Sequence, residues 1–300
     1  MTTLNTLKPP PLFSQSSLTL TDFLALPMME IQNFAPETLI FAAGGTRRNA
    51  VLAGISTTDY GYVTHTRGQL LETFDLLFRS GVRHVFTPVS THVNFSETGE
   101  YQTKLLTRIA HGTSEPAIIQ AYQEKGWRVR LAGVEDVPEL QTAVSRLQQA
   151  TPTGNHTLWY TIAPRAEAPW EQILAAAHRT QATTRAELIR ELYGEDIPLA
   201  TMYLGFGKPE IYADLVPPIL VGKMQCYIRQ KPGYVLSERE WRLILYDYAY
   251  TRATWREDKT GRELKALDHR EAWENAPILG LGKRLGPFWY PISHEDADLI

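Results

Sequence analysis

Two adjacent arginines, Arg47 and Arg48, follow Gly44, Gly45 and Thr46 directly behind an apolar run at 38–43. Paired guanidiniums can fork onto phosphate oxygens, a threonine adds a hydroxyl, and glycines let the backbone come close to a ligand. A helix opening behind them would add its free N–H groups. The chemistry on offer is binding of a phosphate-bearing anion. A tight strand-to-helix turn with solvated arginines uses the same residues, and the local pattern leaves both readings open. The run lacks the Gly-Lys-Ser/Thr ending of a nucleotide P-loop and the third glycine of a dinucleotide fingerprint. No metal site is assigned, since the histidines are scattered, no His-Glu-x-x-His occurs, and Cys226 is alone. His65 and His84 read as structural histidines. No Gly-x-Ser-x-Gly nucleophile elbow is present. The glycine-rich stretch 280–286 reads as a structural turn, and Glu295, Asp296 and Asp298 as a solvated tail.

The elements that must position the arginines alternate along the chain. The segments 38–43, 82–88, 127–132, 157–163, 201–204 and 224–229 read as strands. Helical spacing covers 62–80, 100–111, 115–125, 137–149, 169–181, 184–193 and 237–252. Gly81 is placed to end the first of these, and Ser237 with Glu240 has capping-box spacing. Such alternation predicts an α/β fold, a mostly parallel central sheet of about six strands flanked by helices. The ligand end of such a sheet lies beyond the carboxyl ends of its strands, where Gly44 to Arg48 fall. Residues 1–36, with Thr19 or Thr21 as a helix cap, read as an extension docking on a single domain over 37–300. That domain includes a polar segment from about 253.

Length and composition narrow the classes. The chain has 300 residues, 43 % hydrophobic and 21 % charged, with a formal net charge of −3. Such a composition forms a core and excludes wholesale disorder. The charge balance argues against nucleic acid as a partner. The lone Cys226 suits a reducing compartment, and neither a secretory signal nor a transmembrane segment is evident, so a cytoplasmic location is expected.

The strand followed by Gly44-Gly45-Thr46-Arg47-Arg48 resembles the first-strand signature of the cis-prenyltransferases, usually Asp-Gly-Asn-Gly-Arg-Trp. It is closer still to the Asp-Gly-Thr-Arg-Arg of a bacterial diterpene-forming branch of that family. The Leu-Leu-Phe-x-x-Gly pattern at 76–81 agrees with that branch. So do Tyr193-Gly194-Glu195 ahead of 202–208 and the run from Arg242 through Asp247 and Tyr250 to Arg252. Coverage runs from about residue 20 to 290. The resemblance implies a cis-prenyltransferase-like fold, a homodimer and a prenyl diphosphate substrate, C20 in this branch. By position, Arg47 and Arg48 would hold the diphosphate with Gly44, Gly45 and Thr46, and Tyr62 would reach the same group. Leu70, Phe74, Leu77 and Phe78 would border the prenyl chain, although a stripe at helical spacing is more often the mark of a core.

Residues 205–210 lack the arginine-rich arrangement with which elongating members bind isopentenyl diphosphate, so condensation is not expected. The implied reaction is ionisation of an allylic prenyl diphosphate, the cation being quenched by water or by proton loss. Transfer to a small nucleophile such as a nucleoside, and non-catalytic binding, are the alternatives. The family's first-strand aspartate falls on Gly44, which puts the family's Mg2+ in question. Restoring an aspartate there is expected to raise any magnesium dependence.

Overall fold

β-Branched and aromatic runs, bounded by glycine, proline or polar turns, form the sheet of this protein. Its computed structural model describes residues 18–58, 60–97, 100–252, 254 and 258–293. The strands are β1 (Thr38–Ala42), β2 (His84–Ser90), β3 (Trp127–Ala132), β4 (His156–Ile162), β5 (Ala200–Phe206) and β6 (Val221–Arg229). All pairings are parallel, in the order β3-β4-β2-β1-β5-β6. Every residue of β1 is buried, as a central parallel strand covered on both faces requires. Register sets Leu39 against Val85 on one side and Met202 on the other, so the carboxyl ends of β2, β1 and β5 lie side by side.

The helices are α1 (Leu20–Ala25), α2 (Met28–Ile31), α3 (Thr46–Leu52), α4 (Tyr60–Arg79), α5 (His92–Ser96), α6 (Glu100–Ser114), α7 (Pro116–Glu124), α8 (Gln141–Ala150), α9 (Ala168–Thr180), α10 (Arg185–Tyr193), α11 (Glu238–Tyr246) and α12 (Arg270–Glu274). Side chains alternate across a strand, so β1 feeds two cores. Leu39 and Phe41 join Phe74, Leu77, Ile118, Leu147 and Trp241 in one. Ile40 and Ala42 join Phe86, Trp159, Ile189 and Leu220 in the other. The expected α/β layering is therefore present, with a sheet that is parallel throughout its six strands.

Local chemistry sets several boundaries. Thr19 caps α1 by accepting from the Asp22 N–H at 3.2 Å, and Phe23 packs edge-on against Phe34 and Tyr246. Pro138 opens a short tight turn before α8. Ser237 and Glu240 cap α11 reciprocally, at 3.2 and 2.8 Å. The helix expected over 237–252 stops being α-helical at Tyr246 and widens over Asp247–Thr251. Asp247 there accepts from the Tyr227 hydroxyl at 2.7 Å and pairs with Arg252 at 2.6 Å, which ties the wider turn to β6. The largest departure is in the polar C-terminal segment. The stretch expected as a structural turn instead forms an antiparallel hairpin, β7 (Gly282–Leu285) with β8 (Phe288–Pro291). Gly286, at φ 58°, turns the hairpin, and Gly280, at φ 98°, turns the chain just ahead of it. The triple proline at 9–11 and the acidic tail at 295–298 lie outside the described residues.

Candidate functional site

The loop between β1 and α3 is shaped by what packs on it. Gly45 takes φ 70°, a left-handed conformation that is costly for residues with a Cβ. Space makes the same demand. A Cβ on Gly44 would lie 2.8 Å from Phe206 Cδ1, and one on Gly45 would lie 2.9 Å from both Phe206 Cζ and Pro232 Cβ. The Gly233 N–H closes the loop from the far side by donating to the Gly44 carbonyl at 2.7 Å. Phe206, the last residue of β5, thus occupies the ground beside both glycines.

Thr46, Arg47 and Arg48 begin α3. The Thr46 hydroxyl shares a hydrogen bond of 2.7 Å with that of Tyr62, near the start of α4. Arg48 lies between two rings, its Cζ 4.9 Å from the Phe206 centroid and 4.7 Å from that of Phe288 on β8. Guanidinium planes stack well on aromatic faces, and the stack aims the fork without consuming its N–H donors. Partial burial draws the Arg48 pKa down from its ordinary value. Arg47 is exposed on the same turn. Arg108 from α6 reaches the far side of this cluster, its Cζ 6.0 Å from the Tyr62 ring.

Asn49 anchors the assembly. Its Nδ2 donates to the Pro232 carbonyl at 3.2 Å, and its Oδ1 lies 2.9 Å from His65 Nε2 on α4. The sequence-predicted residues Gly44, Gly45, Thr46, Arg48 and Tyr62 are therefore brought together at the carboxyl end of β1. Phe206, Phe288, Arg108 and Pro232 join them from distant stretches, and Asn49 from the next position of α3, with no local motif to announce them.

The predicted prenyl-chain residues line α4 as it descends from this end of the sheet. Leu70, Phe74, Leu77 and Phe78 are all buried. Phe74 meets Phe41 and Tyr234 edge-on at 5.8 and 6.0 Å, and Phe78 meets Trp127 at 4.9 Å. These side chains are integral to the core, and Phe78 lies at the far end of the sheet, against the start of β3.

Magnesium prefers hard oxygen ligands, carboxylates above all. The loop offers glycines, a hydroxyl and guanidiniums, and the Phe206 ring fills the space into which a side chain at position 44 would grow. Among the described residues no group of three His, Cys, Asp or Glu side chains could hold a metal. The loop's residues do not fit a resident magnesium ion.

No protein-family model matches the chain. It is 44 % identical to (+)-kolavelool synthase of Herpetosiphon aurantiacus over 277 residues, 92 % of this chain and 96 % of that protein. Identity to the tuberculosinyl adenosine transferase of Mycobacterium tuberculosis is 24 % over 248 residues, 77 % of this chain and 82 % of that one. Among solved structures, lavandulyl diphosphate synthase of Lavandula x intermedia superposes with a TM-score of 0.57 at 13 % identity, covering 72 % of this chain and 96 % of its own. A probable undecaprenyl diphosphate synthase from Campylobacter jejuni superposes with a TM-score of 0.52 at 13 % identity, covering 73 % and 97 %. The fold is that of these prenyl diphosphate synthases. On sequence, the chain belongs to the kolavelool synthase family of diterpene synthases.

Proposed function

We propose that the protein is a diterpene synthase that ionises an allylic C20 prenyl diphosphate and quenches the cation with water or by proton loss, without isopentenyl condensation. The observation that carries this reading is the convergence of Thr46, Arg48 and Tyr62 beside two close-packed glycines at the carboxyl end of β1. Heterolysis moves negative charge onto the departing diphosphate, so donors aimed at its oxygens stabilise the transition state more than the substrate. Arg47 and Arg48 supply charged donors, and the Thr46–Tyr62 pair supplies hydroxyls. Each charge-assisted bond contributes roughly 1.5–3 kcal/mol, equivalent to about tenfold to a hundredfold in rate. The stacking of Arg48 reduces the freedom lost when it engages the substrate, which favours preorganised catalysis.

The stripe Leu70, Phe74, Leu77 and Phe78 is the proposed direction for the prenyl chain, along α4 and away from the arginines. The homodimer is proposed on two features. Among the described residues β6 is a sheet edge with β5 as its one neighbour, and Leu264, Leu267, Trp273, Ile278 and Leu279 are all at least 60 % exposed. An apolar surface of that kind favours a covering partner. The lone Cys226 supports a cytoplasmic setting. Among the described residues no helix is long and apolar enough to cross a membrane.

Incubating the protein with C10 to C25 prenyl diphosphates, with and without a nucleoside, tests the reading. Diphosphate release with an isoprenoid alcohol or hydrocarbon is expected without added nucleophile. A product formed only when a nucleoside is present would favour the transferase that the 24 % relative suggests. Tight binding without turnover would favour a non-catalytic binder.

A further inference from the structure

Outside the arginine cluster, one ionisable pair closes over the same end of the sheet. His92 opens α5, two residues beyond β2, and Asp214 lies in the segment that leaves β5 after Phe206. β2 and β5 are the two neighbours of β1, so the segments that carry the pair leave the sheet on either side of the β1 end from which Gly44 and Gly45 emerge. The Asp214 side chain is 3 % exposed, and its Oδ2 lies 2.5 Å from His92 Nδ1 and accepts the His92 backbone N–H at 3.1 Å. A carboxylate can only accept, so Nδ1 carries the proton and Nε2 presents a lone pair. The His92 side chain is 37 % exposed, leaving that nitrogen accessible while its partner is sealed. A buried carboxylate orienting a half-exposed imidazole is the arrangement of a general base.

We propose that His92, oriented by Asp214, takes the proton from the water that quenches the allylic cation. The proposal rests on the ionisation reading and adds to it the fate of the proton. The C1–O bond of the substrate breaks, and its electron pair leaves with the diphosphate. A water oxygen forms the new C–O bond to the allylic cation, and one water proton passes to His92 Nε2. The resulting imidazolium is stabilised by Asp214 and returns the proton to solvent. The product is an alcohol, with atoms and charge balanced.

The test measures diphosphate release and the alcohol fraction of the product from C20 prenyl diphosphates, for the wild type, His92→Asn and Asp214→Asn. Asparagine at 92 keeps a donor near the Nδ1 position and removes Nε2. Diphosphate release by His92→Asn should stay within about threefold of the wild type, while the alcohol fraction falls at least about tenfold in favour of elimination products. Asp214→Asn should shift the products the same way. Thermal unfolding confirms that each variant is folded; His92 is half-exposed, so its variant carries the test should Asp214→Asn fail to fold. An unchanged alcohol fraction in folded His92→Asn overturns the base assignment and leaves ionisation standing. A wild type yielding only hydrocarbon does the same. A wild type releasing no diphosphate removes the ionisation reading, and the base with it.

Discussion

At Gly44 the first-strand loop gives up a side chain, and Phe206 takes the space. The missing aspartate of the resembling family is thereby connected to packing: a Cβ at 44 would meet Phe206 Cδ1 at 2.8 Å. The expectation that Gly44→Asp would simply raise magnesium dependence changes accordingly, because the new side chain must first displace the ring that stacks on Arg48. Gly44→Ala should destabilise the protein by about 1–3 kcal/mol through overpacking and weaken diphosphate binding by disturbing Arg48. Gly44→Ala combined with Phe206→Leu should recover part of that stability, an interaction energy readable in a double-mutant cycle from urea unfolding. Strict additivity would show that the two positions are independent. Arg47 and Arg48 were legible in the sequence because a short motif carries them, whereas Tyr62 followed from the family resemblance alone. Phe206 and Phe288 were not, since their contacts with Arg48 exist only once β5 and the terminal hairpin have folded onto α3.

Among the elements, α11 shows what local chemistry determines and where it stops. Ser237 and Glu240 have the spacing of a reciprocal cap and form one. The helix they start places Trp241 in the core, its Nε1 donating to Ser80 Oγ at 2.7 Å, and lets Arg242 donate to the Leu26 carbonyl at 2.7 Å. Ser237→Ala should cost about 1 kcal/mol, seen as a lower urea midpoint with an unchanged slope, and should leave substrate KM unaltered. A changed KM would tie α11 to the site more directly than the structure does. The strands of the main sheet were legible because each is apolar, or alternates apolar with polar residues as β3 does, between turn residues. The widened turn after Tyr246 was not, because it depends on Tyr227 and Arg252 meeting Asp247 across space. The hairpin β7–β8 escaped for a different reason. Its first strand, Gly-Lys-Arg-Leu, carries no alternation of apolar and polar residues.

For the whole molecule, acid stability depends in part on a histidine that the fold keeps neutral. His84, at the start of β2, is 4 % exposed, and its Nδ1 has no hydrogen-bond partner among the described residues. Burial pushes its pKa down to about 4. The unfolded chain binds this proton below roughly pH 6.5, whereas the folded protein binds it only near the lower value. Stability from this group is therefore present above the unfolded pKa and is lost as pH falls towards the folded one. The contribution to the loss between about pH 7 and about pH 5 is roughly 2 kcal/mol. His84→Gln should flatten that part of the pH–stability curve, and an unaltered curve would contradict the assignment. At the same scale, the near-neutral chain concentrates its chemistry where β2, β1 and β5 end together. In the proposed reaction Arg47 and Arg48 there stabilise a departing diphosphate. The deciding measurement is the initial rate of diphosphate release from C20 prenyl diphosphates by the wild type, Arg47→Ala and Arg48→Ala. The wild type should release diphosphate, and the rate should fall about tenfold to a hundredfold in each variant, with thermal stability almost unchanged. Release at the wild-type rate by both variants would contradict it.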